Sequence, residues 1–291
     1  MKPHLLKFHL RPEHSFNIRY DVVPYFYKNW HYHPEIELVY IIKGSGKQFI
    51  GDSVHLFKSG DMLLLGSGLP HMWSSDQKFL RNNSKLKMEA IVMHFMPECL
   101  GEHFFSLPEN NSLVKLLDRA KQAVRIKENT KLIVAALMKQ LLTSKDTERI
   151  ILLLQILHVI AYSKQTKSVC TKGLIFQENP ADSERLNNIY QYTLNNFSKP
   201  ITLEQVAKIA HLSPQSFCRY FKSRIKKTFS RFLIEIRIGN ACKLLAETNA
   251  NVSTICYQCG YNNFSNFNRH FKSITGRTPQ AHRKYYQEGK Q

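Results

Sequence analysis

Residues 216–229, SFCRYFKSRIKKTF, and residues 266–279, NFNRHFKSITGRTP, are two versions of one segment. Phe217, Arg219, Phe221, Lys222, Ser223 and Thr228 recur fifty positions later as Phe267, Arg269, Phe271, Lys272, Ser273 and Thr278. Recurrence of this kind marks a duplicated supersecondary unit. Each copy follows a short stretch with helical character, TLEQVAKIAHL at 202–212 and VSTICYQCGY at 252–261. The chain therefore reads as helix, turn, helix, twice over. Thr202 and Gln205 fit a capping box, Ser253 offers a cap to the second short helix, and Ser213 with Pro214 opens the long helix of the first copy.

Helical spacing gives each long helix two faces. Phe217 and Phe221, with Tyr220 and Arg224, point inward, while Gln215, Ser216, Cys218, Arg219 and Lys222 are left for a partner. In the second copy the outward set is Ser265, Asn266, Asn268, Arg269 and Lys272. Amides suit adenine edges, arginine suits guanine and lysine suits phosphate, which is the chemistry of a helix in a major groove. Lys226, Lys227 and Arg277, just past the helices, extend the phosphate-facing set. Read singly, either helix could be an ordinary solvated helix of a basic bundle; the duplication argues for recognition. Between the copies, TFSRFLIEIRIGNACKLLAE at 228–247 predicts one continuous helix of ~30 Å, close to the ~34 Å of a turn of DNA.

Charge points the same way. The 291 residues carry 41 Lys and Arg against 22 Asp and Glu, a formal +19, which calls for a polyanionic partner. The excess is concentrated at one end, since residues 185–291 hold 17 basic and 4 acidic residues. Apolar content of 43% excludes a disordered basic tail, and the length suffices for two or three domains with their own cores. The greasiest segment, Ile150 to Tyr162, is interrupted by Gln155 and His158 and is shorter than the ~20 residues that span a bilayer. With no apolar leader and six scattered cysteines, the expectation is a cytoplasmic protein with reduced thiols and no membrane partner.

From about 186 to 285 the chain resembles the AraC/XylS family of bacterial transcription regulators. The resemblance rests on SPQSFCRYFK, the Glu235–Arg237 pair, CGYNNFSNFNRHFK and the closing TGRTPQAHR with Gly276, Pro279 and Arg283. Lys226 stands where the family usually has the glycine that Gly276 supplies in the second copy. The resemblance implies a dimeric, effector-controlled regulator with tandem helix-turn-helix units, double-stranded DNA as partner, and RNA polymerase as a further one.

Upstream, residues 16–95 alternate short apolar strands with turns, as IELVYII, GSG, KQFI, GD, VHLF, KSGD, MLLL and GSGLP, the pattern of a small barrel or sandwich. Within it, WHYHPEIELVYIIKG places His31, His33, Glu35 and Glu37 on one face of an extended chain. The stretch resembles the first cupin motif, ending at Gly44, and Gly60, Gly66, Gly68 and His71 resemble the second. Gly66 and Ser75 replace its usual proline and asparagine, and Tyr25 replaces the glycine upstream of the first motif. The resemblance implies a metal set of His31, His33, Glu37 and His71, an N/O donor set compatible with several divalent ions. The same residues, with Trp30 and Trp73, could instead line a pocket for a sugar-like or ring effector. His55, His94 and His103 read as incidental.

Leu113, Leu116, Leu117, Ala120 and Val124 then recur at helical spacing, followed by a second helix through Leu132, Ala135, Ala136 and Lys139–Gln140, and a third from about Asp146 to Tyr162. The third is apolar nearly all round, so it belongs to a core or to a dimer seam. The fold expected is α+β and multidomain: a cupin-like effector-sensing barrel at 1–110, a dimerising helical spacer at 111–165, a linker at 166–184 and an all-α DNA-binding domain at 185–291. Cys256 and Cys259 form a C-x-x-C, but they align with Ala207 and Ala210 of the first copy, and small buried thiols suit such positions. The function expected is a non-enzymatic, DNA-binding transcriptional regulator. The alternative, a metal-dependent cupin isomerase or oxygenase with a basic accessory domain, gives no reason for the repeat.

Overall fold

The computed structural model describes residues 14–26, 30–80, 86–101, 103–170 and 180–288. The chain divides into two compact units, one formed mainly before residue 179 and one from there on.

Among the described residues the first unit has nine strands: β1 (Asn17–Val23), β2 (Ile36–Lys43), β3 (Ser45–Ile50), β4 (Ser53–Lys58), β5 (Met62–Leu65), β6 (His71–Ser75), β7 (Met88–Phe95), β8 (Val124–Ile126) and β9 (Thr166–Ser168). They form a six-stranded sheet in the order β1-β7-β2-β5-β8-β9 and a three-stranded sheet in the order β4-β3-β6. They are accompanied by the α-helices α1 (Gln77–Leu80), α2 (Asn111–Ala120), α3 (Glu128–Leu141) and α4 (Asp146–Ala161).

Period-two alternation sorts the large sheet's side chains between two cores. Leu38, Met62, Leu64, Ile91 and Met93 point outward into a core completed by Leu116, Met138, Leu153 and Ile156 of α2, α3 and α4. The alternate residues, Val39, Ile41, Leu63, Leu65, Ala90 and Val92, point inward and meet Ile50, Phe57 and Trp73 of the small sheet. Strands β2, β5 and β7 are thus buried on both faces, which is why they read as nearly unbroken apolar runs. The barrel at 1–110 and the spacer at 111–165 that the sequence separates share one core, because the outer sheet face is apolar and α2–α4 are its cover.

Two expectations are corrected. The first spacer helix stops at Ala120 and does not continue to Val124, which lies in β8 beside β5. Residues 166–168, expected as linker, pair with β8 as β9; most of the remaining linker, 171–179, lies outside the described residues. Gly66 has a steric reason to be glycine, since a Cβ there would meet the backbone of Ala120 and Lys121 at 2.6 to 2.8 Å.

The second unit holds α5 (Pro180–Asn196), α6 (Leu203–Ile209), α7 (Pro214–Ile225), α8 (Phe229–Glu247), α9 (Val252–Gln258), α10 (Phe264–Thr275) and α11 (Pro279–Glu288). The capping box of Thr202 and Gln205 is formed, and Ser213 caps α7 by accepting from Ser216 N–H at 3.3 Å. Ser253 does not cap. The cap position of α9 is Asn251, two residues earlier, and α10 is capped by Asn263, which accepts from Asn266 N–H at 2.8 Å. The repeated threonines have a shared local role, since Thr228 caps α8 and Thr278 accepts from Ala281 N–H in the first turn of α11.

Helix α8 is the common shaft. Near its start, Phe229 and Phe232 lie with ring centroids 5.5 and 5.4 Å from Phe217 and Phe221 of α7. Further along, Ile238, Ala241 and Leu245 enter a core with Ile255, Phe267 and Phe271 of α9 and α10. At 19 residues it is ~28 Å long. Burial along its length explains why it has no single apolar stripe. Arg237 braces it, donating to the carbonyls of Phe197 and Lys199 at 2.8 and 2.9 Å.

Candidate DNA-reading surface and effector pocket

With Phe217, Phe221, Phe267 and Phe271 fully buried, the opposite faces of α7 and α10 have to face outward. Gln215, Cys218, Arg219, Lys222 and Lys226 are exposed and Ser216 is half-buried. In the second unit Ser265, Asn266, Arg269, Lys272 and Arg277 are exposed and Asn268 is half-buried. Arg269 donates to Asn266 Oδ1 at 3.0 Å, so its guanidinium is already steered along the helix face. The Arg277 guanidinium stacks over the Tyr285 ring at 3.9 Å. Lys227 departs from expectation: its ammonium lies 2.9 Å from the Glu235 carboxylate, which also accepts from Arg231 at 3.1 Å. It is engaged inside the domain, unlike Lys222 and Lys226.

Cys256 and Cys259 are fully buried in the core around Ile255 and Phe267, and burial pushes the Cys256 thiol up. Packing accounts for them.

In the barrel, Glu37 on β2 is the hub. Its Oε2 lies 3.0 Å from His33 Nε2 and 3.2 Å from both His71 Nε2 and His94 Nε2. His31, which exchanges two backbone hydrogen bonds with His71, completes a second group with His33 and His71. All five side chains are buried. Burial alone would raise the Glu37 carboxyl, but the charge of His71 and hydrogen bonds from His33, His71 and His94 hold it well below the ordinary carboxylate range. Burial lowers His94, against the pull of Glu37.

The outer ring nitrogens fix the tautomers. His33 Nδ1 faces the Glu35 carbonyl at 3.0 Å and His71 Nδ1 faces the Leu69 carbonyl at 2.8 Å, so each Nδ1 carries the hydrogen. Nε2 of each ring then faces Glu37 Oε2, donating to it when the ring is protonated and turning a lone pair on it when the ring is neutral. His94 is different. Its Nδ1 faces the donor Nη1 of Arg19 at 3.2 Å, which leaves Nε2–H to donate to Glu37.

Beside this cluster a pocket of about 390 Å³ is lined by His31 and Glu37 at one point, Arg19, Asp21 and Tyr25 at another, and apolar walls that include Val39, Val92 and Trp73. Trp73 is among the lining residues. Trp30 is buried and is not among the lining residues.

The AraC-like ligand binding domain family matches residues 20–144, and a helix-turn-helix domain family matches residues 206–285. The chain belongs to the AraC/XylS family of transcription regulators. This AraC-type regulator is 27% identical over 268 residues to the uncharacterized HTH-type transcriptional regulator YdeC of Bacillus subtilis, covering 87% of this chain and 85% of that one. It is 26% identical over 257 residues to the HTH-type transcriptional activator RhaR of Mannheimia succiniciproducens, covering 85% and 83%. The chain is thus a DNA-binding transcriptional regulator with a cupin-like ligand-binding domain, and the enzyme alternative is set aside. Among the described residues no helix is long and apolar enough to cross a membrane.

In this regulator the residues of the two cupin-like motifs fall into two overlapping triads, His31–His33–His71 and His33–Glu37–His94, with Glu37 also 3.2 Å from His71, and the nitrogen and oxygen donors are of the kind a divalent cation takes. Two Nε2 atoms facing a buried carboxylate call for positive charge, from ring protons or from a cation, and histidines anchored through Nδ1–H to carbonyls are oriented as metal ligands usually are. The sequence reading missed His94. Its signal lay in strand pairing, because Glu37 and His94 are register partners on β2 and β7.

Proposed function

We propose that this AraC-type regulator reads one face of a DNA duplex with α7 and α10 in successive major grooves, under the control of a small molecule bound in the barrel. The observation that carries the reading is the sharing of α8: its two ends are packed into the cores behind α7 and α10. Gln215, Ser216, Cys218 and Arg219 on one helix, and Ser265, Asn266, Asn268 and Arg269 on the other, are the base-reading set. Lys222, Lys226, Lys272 and Arg277 bind phosphates, and Lys227 is left out of the set.

Two copies associate through α3 and α4 in this reading. Leu132 is 63% exposed, Ile133 51% and Ile151 50%, an unusual display of aliphatic side chains for a surface left to water. Effector binding favours one spatial relation of the two DNA-binding halves, a shift between existing populations. Contact with RNA polymerase at promoter-adjacent sites belongs to the same reading. His31, His33, Glu37 and His71 would hold a divalent cation, with His94 and Arg19 steadying Glu37 behind them. Bound there, the ion supplies a Lewis-acidic anchor for an effector oxygen.

The test is selection of bound duplexes from a random library by the full-length protein, followed by binding at several salt concentrations. The expected result is a bipartite site bound with a steep salt dependence, log Kd changing by about 0.9 per phosphate contact for each tenfold change in salt. Recovery of no shared sequence, or binding insensitive to salt, would contradict it.

A further inference from the structure

The metal-ligand residues and the pocket are not separate features, since His31 and Glu37 belong to both. A cation held at the cluster would stand at the polar end of a pocket whose walls are otherwise apolar. A divalent ion at the cluster would be an electrophile facing the pocket, with Glu37 against it and the Glu35 carboxylate behind His33 at 3.5 Å, and an anionic oxygen donor is the ligand head that suits it. Arg19, which also lines the pocket, is engaged by Asp21 at 2.8 Å.

A second observation comes from the small sheet. Gln48 on β3 is directly opposite Trp73 on β6, and Ile50 on the same face of β3 is opposite His71. Its carboxamide is fully buried, and neither its oxygen nor its nitrogen has a hydrogen-bond partner. Such groups rarely go unsatisfied, so this amide offers one donor and one acceptor beside the pocket-lining Trp73 and one diagonal step from His71. A ligand head that meets both ends has to accept and donate at adjacent atoms.

We propose that the barrel pocket takes a 2-hydroxy carboxylic acid with an apolar body. Its carboxylate and hydroxyl oxygens face the cation held by His31, His33, Glu37 and His71, and Gln48 reads the same head by donating to the carboxylate and accepting from the hydroxyl. The apolar body lies along Trp73, Val39 and Val92. A polyol such as a free sugar leaves those walls facing hydroxyl groups, and a simple fatty acid leaves the Gln48 oxygen unpaired.

This inference rests on the reading of the cluster as a metal centre, and the experiment separates the two. Full-length protein is dialysed against Co(II) and titrated with 3-phenyllactate, then with 3-phenylpropionate, which lacks the hydroxyl. The readouts are cobalt content, visible absorption and thermal midpoint, and both titrations are repeated on metal-free protein and on Gln48→Met. Expected are one cobalt per chain, a change in the cobalt spectrum and a raised midpoint with phenyllactate only when metal is present. Phenylpropionate should bind about tenfold more weakly or worse, and Gln48→Met should lose a similar factor for phenyllactate while keeping its cobalt. Cobalt binding without any spectral response to phenyllactate, equal binding of the two acids, or an unchanged affinity in Gln48→Met overturns the ligand assignment and leaves the metal standing. Absence of cobalt binding overturns both.

Discussion

Lys226 and Gly276 close the two recognition helices in the same left-handed backbone conformation, at φ 57° and 76°. Each amide donates four residues back, to Lys222 and Lys272 respectively. The two units therefore end in one turn geometry, met by glycine in the second and by a lysine carrying backbone strain in the first. A Cβ in this region costs about 1 kcal/mol.

Lys226→Gly should accordingly stabilise the protein by about 0.5 to 1 kcal/mol, and Gly276→Ala should destabilise it by about 1 kcal/mol. Urea unfolding of both variants checks the pair. On DNA the first variant should still bind more weakly, because it removes an exposed cation.

Arg219→Ala and Arg269→Ala should each cost about 1 to 3 kcal/mol on the selected site and little on random duplex. Equal losses on both would mean the arginines touch only the backbone. Asn266→Ala should reproduce part of the Arg269 loss, since Asn266 Oδ1 holds that guanidinium.

Lys222→Ala should reduce the salt slope by about one phosphate contact, and Lys227→Ala should leave it nearly unchanged. The difference follows from the ion pair of Lys227 with Glu235. Filter binding across a salt series distinguishes the two.

Ile151→Glu combined with Leu132→Glu should halve the solution mass measured by light scattering without loss of helical circular dichroism. Both residues are more than half or about half exposed, so the charges find water in the single chain and only the seam is penalised.

Acidification should weaken the C-terminal unit. Burial, aided by Arg269 and Arg231, lowers His270, and burial with Arg277 lowers His282. Histidines depressed in the folded state are protonated first in the unfolded chain, so stability is lost as pH falls from roughly 7.5 through the ordinary histidine value and toward the folded ones. The thermal midpoint should fall over that interval, and fall less in a His270→Asn, His282→Asn double variant.

What could be read from the sequence was what depends on neighbours in the chain. The Thr202–Gln205 box, the Ser213 cap and the inward phenylalanines are each set within a few residues, the repeat is visible as a second copy of one such local pattern, and the structure keeps them. His94 and Lys227 were misread because their partners arrive from elsewhere: Glu37 across the β2–β7 pairing, and Glu235 from the next helix. Strand register is fixed by which faces are buried, and no local pattern announces it. The three-residue strands β8 and β9 are likewise products of the sheet edge they extend, and Val124 looks helical only until Ala123 turns the chain at φ 50°. Ser253 was displaced from its cap by a helix beginning two residues earlier than that cap requires.

The claim on which the account depends is that α7 and α10 of one chain engage the same duplex about one helical turn apart. Hydroxyl-radical footprinting on the selected site, with and without five base pairs inserted between its two boxes, addresses it. The account predicts two protected patches on one face about 10 base pairs apart per chain, and a loss of roughly a hundredfold or more in affinity on insertion. A single protected patch, or affinity unchanged by the insertion, would contradict it.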